Sequence, residues 1–149
     1  LPVDLKNKRW YKIPKSKIPG YKNIVKYIKN EYFSADKIVE IGVGNHPEIL
    51  TNLSNEIKGK VIGVDIDPSP QTTYDNISFP NMSIYDNADL IYSIRPPIEI
   101  QKDIVNVCKI EESDLIIRPL MDEVVDLNKY FKRTKLVSLK DNSLYIGKD

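Results

Sequence analysis

Cysteine and histidine are nearly absent: the 149-residue chain holds one of each, Cys108 and His46, and one tryptophan, Trp10. One thiol closes no internal disulfide, and one thiol plus one imidazole falls short of a zinc ligand set, so no metal site is expected. Long apolar runs are missing as well. The longest span a few residues, far below the ~20 that cross a bilayer, and no apolar block follows a basic start as in a secretory leader. A cytoplasmic protein without membrane contact is expected. Glycine is sparse at six residues, so any two close together call for a reason. There is no internal repeat and no low-complexity stretch, and a chain of this length builds one core.

Charge is balanced in total and uneven in place. The net value is +1, but residues 1–30 hold eight Lys and one Arg against one Asp, or +8, which leaves −7 on the rest. The lysines with Trp10, Tyr11, Tyr21 and Tyr27 read either as a solvated strap and helix face or as an arm that contacts RNA by phosphate pairing and base stacking. Residues 1–20, with three prolines and no sustained period, read as an irregular basic lead-in, and residues 21–149 as one domain.

Periodicity organises that domain. Tyr21, Ile24, Val25, Ile28 and Tyr32 recur at helical spacing. Lys37–Ile41 and Lys60–Val64 are short, β-branched runs suited to buried strands. Between them, Pro47 and Glu48 suit a first helical turn, with Ile49, Leu50, Leu53 and Ile57 on one face. Further strands are expected at Ile77–Phe79, Leu90–Ile94 and Leu115–Ile117, with a helix from about Pro97 that turns Ile100, Ile104, Val107 and Cys108 inward. Met121–Phe131 fits a short helix or a loop. Leu136–Leu139 and Leu144–Ile146, joined by Asp141-Asn142, read as a hairpin with a two-residue turn. Short strands alternating with helices predict a doubly wound, Rossmann-like α/β sheet, mainly parallel, closed by an antiparallel hairpin.

The first strand runs into Glu40-Ile41-Gly42-Val43-Gly44-Asn45-His46-Pro47. In an open α/β sheet such a turn lies at the carboxyl edge, where ligands bind. Asp65 ends the second strand 21 residues beyond Gly44, the spacing at which a carboxylate accepts hydrogen bonds from ribose hydroxyls. The bland alternative is a tight turn with Asp65 and Asp67 merely ending a strand. Glu40 would repel a pyrophosphate and suit the amino group of a methionine moiety, and Asn45 and Pro47 break the dinucleotide glycine pattern. S-adenosylmethionine is therefore preferred to NAD as the nucleotide-like ligand.

Glu40-Ile41-Gly42-Val43-Gly44 with Val64-Asp65 resembles the first two motifs of class I methyltransferases. Ala88-Asp89-Leu90-Ile91-Tyr92-Ser93-Ile94-Arg95-Pro96-Pro97-Ile98-Glu99 and Asp114-Leu115-Ile116-Ile117-Arg118-Pro119-Leu120 are closer still to a family of small archaeal proteins, uncharacterised protein family UPF0146. The resemblance spans roughly residues 21–147 and implies a methyltransferase-like Rossmann core without a settled activity. It puts Glu40, Gly42, Gly44 and Asp65 around the cofactor, with Asn81 as an adenine contact after the third strand, where methyltransferases usually place an acidic residue.

Arg95 and Arg118 follow the fourth and fifth strands, so both should emerge at the edge that carries the glycine turn. Two guanidinium forks suit a carboxylate or phosphate of a substrate; the alternative is pairing with Asp67, Glu99 or Asp122. In amino-group methyltransferases of similar fold, the residue before the paired prolines is an Asp or Asn that accepts a hydrogen bond from the target nitrogen, which Arg95 cannot do. No catalytic base is identifiable. His46 reads as a capping or solvent-facing residue, Cys108 as core, and Tyr92 as an ordinary strand aromatic. The expectation is methyl transfer from S-adenosylmethionine to an anionic small molecule or RNA; the alternative is a non-catalytic sensor or interaction module that binds NAD or an adenosyl ligand.

Overall fold

The computed structural model describes residues 17–149. Residues 1–16 of the lead-in, with Trp10 and five of the nine basic residues of the cluster, therefore lie outside the described residues. The elements are α1 (Tyr21–Glu31), β1 (Lys37–Ile41), α2 (Glu48–Glu56), β2 (Lys60–Asp65), β3 (Thr72–Tyr74), α3 (Met82–Tyr85), β4 (Leu90–Ile94), α4 (Ile98–Glu111), β5 (Asp114–Arg118), β6 (Arg133–Ser138) and β7 (Ser143–Lys148). One seven-stranded sheet has the order β3-β2-β1-β4-β5-β7-β6. The first five strands are parallel, and β7 enters antiparallel between β5 and β6. This is the expected α/β architecture with a C-terminal antiparallel pair. No described helix is long and apolar enough to cross a membrane.

Alternation along the strands divides the core. Ile38, Leu90, Tyr92, Ile116, Leu144 and Ile146 pack with Ile24, Ile28, Ile49 and Leu53 under α1 and α2. Val39, Ile41, Val64, Ile91, Leu115 and Ile117 pack with Ile104, Val105, Val107 and Cys108 under α4. Every residue of β4 is buried, as a central parallel strand covered on both faces requires.

Two expectations change, the third strand and the hairpin turn, and the open reading of Met121–Phe131 is decided. The third strand is Thr72–Tyr74, not Ile77–Phe79. Ile77 is buried in the following loop while Phe79 is 84% exposed, because the apolar run there packs inward at a single position and has no period. Met121–Phe131 holds only a single 3-10 turn at Leu127–Lys129. It is tied down by Gln101, a buried amide on the inner face of α4: its Oε1 accepts from Val125 N–H (2.9 Å), and its Nε2 donates to the carbonyls of Glu123 (2.7 Å) and Pro96 (3.1 Å). The hairpin turn centres on Lys140-Asp141, one residue early, since Leu139 N–H donates to the Asn142 carbonyl across it (2.7 Å).

The strand order reverses between β2 and β4, on either side of β1. Loops leaving β1 and β4 there travel to opposite faces, and the gap between them is the crevice in which open α/β sheets bind ligands.

Candidate functional site

The turn after β1 is pinned to the end of β2 and open above. Gly42 and Gly44 have φ of +73° and +59°, a conformation costly for any residue with a Cβ. A Cβ on Gly42 would meet nothing within 4 Å, so the space over the turn is not filled by the protein's own atoms. Gly42 N–H and Val43 N–H donate to the Val64 carbonyl (2.9 and 3.3 Å). Asp65 Oδ2 accepts from Gly44 N–H (2.6 Å) and Oδ1 from Asp67 N–H (2.9 Å). Each carboxylate oxygen retains acceptor capacity.

Beside this turn lies a cavity of about 280 Å³, lined by Ile41, Gly42, Val64, Asp65, Ile66, Asp75, Asn76, Ile77, Tyr85, Pro97 and Ile100. Its walls are largely apolar, and its polar groups are few. Asp75 directly follows β3 and is buried; its Oδ1 accepts from Asn81 N–H (2.9 Å) and its Oδ2 from the Tyr85 hydroxyl. Burial and the Asp75 carboxylate keep the Tyr85 phenol protonated, so it remains a donor to Asp75. The acidic residue after the third strand is therefore Asp75. Asn81 lies outside this lining: its Oδ1 accepts from Ser83 N–H (3.3 Å) and the Ser83 hydroxyl (2.8 Å) at the start of α3. Sequence reasoning missed Asp75 because it placed the third strand beyond that residue, at Ile77–Phe79.

Glu40 lies beneath the turn. It is 1% exposed and accepts a hydrogen bond from the Tyr92 hydroxyl (2.6 Å). Register places Glu40 opposite Gly63 on β2 and Tyr92 on β4, so Asp65, two residues beyond Gly63, shares its face. Burial pushes the Glu40 carboxyl up to about 8; the Tyr92 bond pulls it back, and the neighbouring Glu48 and Asp65 carboxylates raise it further. Tyr92 is thus more than a strand aromatic, since it supplies Glu40 with its polar partner. His46 stands with Nδ1 3.7 Å from Glu48 Oε2, and that same oxygen accepts from Ile18 N–H (2.8 Å). Cys108 is buried and its thiol is pushed up by desolvation, in keeping with a packing role.

Arg95 and Arg118 leave neighbouring strands at the same edge. Arg95 N–H donates to the Arg118 carbonyl (2.6 Å), and Arg95 takes a left-handed φ of +55°. Arg118 donates from Nε to Asn142 Oδ1 (2.6 Å) and from Nη1 to the Pro119 carbonyl (2.7 Å). Partial burial and the nearby Arg95 charge lower its hold on its proton. Neither arginine forms an ion pair among the described residues, so the expected alternatives Asp67, Glu99 and Asp122 do not neutralise them. Sequence reasoning did not single out Asn142 or Gln101 as braces of this corner; the available signal was Gln101, a polar residue on the apolar face of a helix.

Comparison with known proteins agrees with this architecture. The model of the uncharacterised protein family UPF0146 matches residues 21–148. The UPF0146 protein of Methanocaldococcus jannaschii is 35% identical over 136 residues, covering 84% of this chain and 94% of that protein. The UPF0146 protein of Archaeoglobus fulgidus is 30% identical over 127 residues, covering 83% and 91%. Among solved structures, MtNAS in complex with MTA and tNA superposes with a TM-score of 0.60 at 16% identity, over 88% of this chain and 61% of that one. The Thermus thermophilus 16S rRNA methyltransferase RsmC, in complex with AdoMet and guanosine, gives 0.64 at 12% identity, over 93% of this chain and 45% of that one. An RNA methyltransferase from Salinibacter ruber, in complex with S-adenosyl-L-homocysteine, gives 0.58 at 14%, over 87% and 92%. At these identities the likeness is one of fold: a methyltransferase-like Rossmann core.

Proposed function

The chain belongs to the archaeal uncharacterised protein family UPF0146, and on that premise we propose that it binds S-adenosylmethionine in the crevice between β1 and β4 and transfers the methyl group to an anionic acceptor. The observation that carries this reading is the open space over Gly42 with the Asp65 carboxylate at one side and the apolar cavity at the other. In it, Asp65 accepts from the ribose hydroxyls with the lone pairs that Gly44 and Asp67 leave over. Ile66, Ile77, Pro97 and Ile100 enclose the adenine, and Asp75, held by Tyr85, accepts from its exocyclic amine. The glycine turn bears the methionine portion.

Charge selects among nucleotides. Glu48 and Asp65 are near enough to Glu40 to raise its proton affinity, and Glu48 occupies the first turn of α2, where a pyrophosphate would otherwise sit. A dinucleotide would bring two negative charges to the Glu48 and Asp65 carboxylates, whereas the ammonium and sulfonium of S-adenosylmethionine bring positive ones. Bound there, S-adenosylmethionine supplies an electrophilic methyl group. The protein's part is alignment: holding the acceptor in line with that carbon by Arg95 and Arg118 supplies rate by orientation, without a dedicated base.

Isothermal titration against S-adenosylmethionine, S-adenosylhomocysteine and NAD tests the reading. Both adenosyl ligands should bind and NAD should not; folded protein that gives no heat with either adenosyl ligand at millimolar concentration removes the proposal. Arg95, standing where an amine methyltransferase has an acceptor, favours one further reading, a sensor that binds the ligand without turnover. Ligand binding with no labelled methyl transferred to any small anionic acceptor or RNA would support it.

A further inference from the structure

We propose that Arg95 and Arg118 form a receptor for a single oxyanion, and that the second ligand of this protein is a small molecule bearing a carboxylate or a phosphate. The receptor is a property of the free protein; only its role as the acceptor site rests on the adenosylmethionine reading.

Three independent features converge on this corner. The first is an unused donor: Arg95 Nε is buried and has no hydrogen-bond partner. Buried polar atoms almost always find a partner, and a charged group that lacks one is the costlier exception. The second is strain. Arg95 has a Cβ yet keeps a left-handed backbone, fixed by its N–H bond to the Arg118 carbonyl; such conformations persist where the surroundings enforce them and collect at ligand sites. The third is an uncompensated charge pair. The Arg95 guanidinium stands close enough to Arg118 to influence its protonation, with no ion pair to either among the described residues. An anion paired with the outer nitrogens of both guanidinium groups removes that repulsion.

The fork of Arg118 is oriented in advance. Nε and Nη1 are committed to Asn142 and Pro119, and buried Asn142 is itself anchored by Nδ2 donation to the Pro19 carbonyl (2.8 Å). Nη2 and the second hydrogen of Nη1 have no described hydrogen bond and are the donors left for a ligand. Planar forks of this kind fit the two oxygens of a carboxylate or phosphate.

The surroundings argue for a small ligand over a polyanion. The cavity that Arg118 lines, on the side away from Arg95, is about 310 Å³, and its lining holds Asp122 and Asp141 with Lys140 the only other cation. Carboxylates in that lining repel a chain of phosphates but leave room for one oxyanion at Arg118. Exposed Leu120 and Met121 offer apolar contact to the carbon skeleton of such a molecule. Pro97, two residues beyond Arg95, lines the nucleotide cavity, so a ligand held here lies next to that crevice.

The test uses the full chain without any adenosyl ligand. Inorganic phosphate and acetate are titrated at constant ionic strength while the arginine Nε–H signals are followed by NMR. The Arg95 signal should move saturably in the millimolar range, with the Arg118 signal moving in parallel, and whichever anion saturates first identifies the oxyanion. Arg118→Lys should weaken the response of Arg95 at least tenfold while the amide spectrum stays folded; Arg95→Lys provides the same check by following Arg118. No saturable movement of either signal with either anion overturns the receptor. An oligoribonucleotide that moves both signals at far lower concentration than phosphate overturns the small-ligand assignment. Failure here leaves adenosylmethionine binding untouched, and failure of that binding leaves this titration unchanged.

Discussion

Replacing Glu40 with glutamine should stabilise the protein as pH rises, because the native carboxyl resists ionisation. In the folded chain it holds its proton up to about 8, against 4.5 for the unperturbed group, and burial is the largest cause. Between those two values the folded state binds more protons than the unfolded state, so rising pH favours unfolding. One pKa unit corresponds to about 1.4 kcal/mol, so the full interval is worth about 5 kcal/mol, and by pH 7 roughly 3 kcal/mol has been lost. Glutamine is close in shape, still accepts from the Tyr92 hydroxyl and does not titrate. The stability difference between Glu40→Gln and the native protein should therefore grow in favour of the variant from pH 4.5 to pH 8.5. Any fixed effect of the amide cancels in that comparison. Urea unfolding at several pH values measures it. A difference that changes by less than about 1 kcal/mol across the range, under a single pKa unit's worth, would mean that Glu40 ionises near its ordinary value and refute the reasoning.

Tyr92→Phe removes the bond that draws the Glu40 carboxyl back toward its ordinary value. The variant should lose about 1–3 kcal/mol from the unpaired acceptor, and the pH at which Glu40 ionises should move upward, as followed by its carboxyl carbon signal. Gly63→Ala would put a Cβ 2.5 Å from Leu50 Cδ2 and 2.9 Å from Val43 Cγ2; overpacking of this kind costs about 1–3 kcal/mol. Since Val43 lies between the two glycines of the turn, calorimetry should also show weaker adenosylmethionine binding at temperatures where the variant stays folded. Asp65→Ala removes the acceptor for Gly44 and Asp67 N–H together with the proposed ribose contacts. Its adenosylmethionine affinity should fall at least tenfold, and an unchanged titration would mean that the ribose lies elsewhere.

Much of the framework was legible before any coordinates. Leu90–Ile94 was found at its observed bounds because a central parallel strand is apolar at nearly every position. The face Ile49, Leu50, Leu53 and Ile57 was found because helical period survives wherever one side is buried. β3 was misplaced for the converse reason. It is a three-residue edge strand, exposed at Thr73 and Tyr74, and nothing about its composition marks it, whereas Ile77 and Phe79 nearby are apolar without sharing a face. That single displacement directed attention to Asn81 and away from Asp75.

The sequence by itself determined the α/β class, the glycine turn, the Asp65 spacing and the emergence of two arginines at one edge, since each follows from local period or from counting residues along the chain. Only the tertiary structure decided that Glu40 is a buried acid supported by Tyr92, that Asp75 is held by Tyr85, and that Arg95 and Arg118 lack a counter-ion among the described residues. Those properties arise from burial and from partners as much as 52 residues apart in the chain. Desolvation and long-range pairing depend on what surrounds a group in space, and a linear order of residues does not specify that.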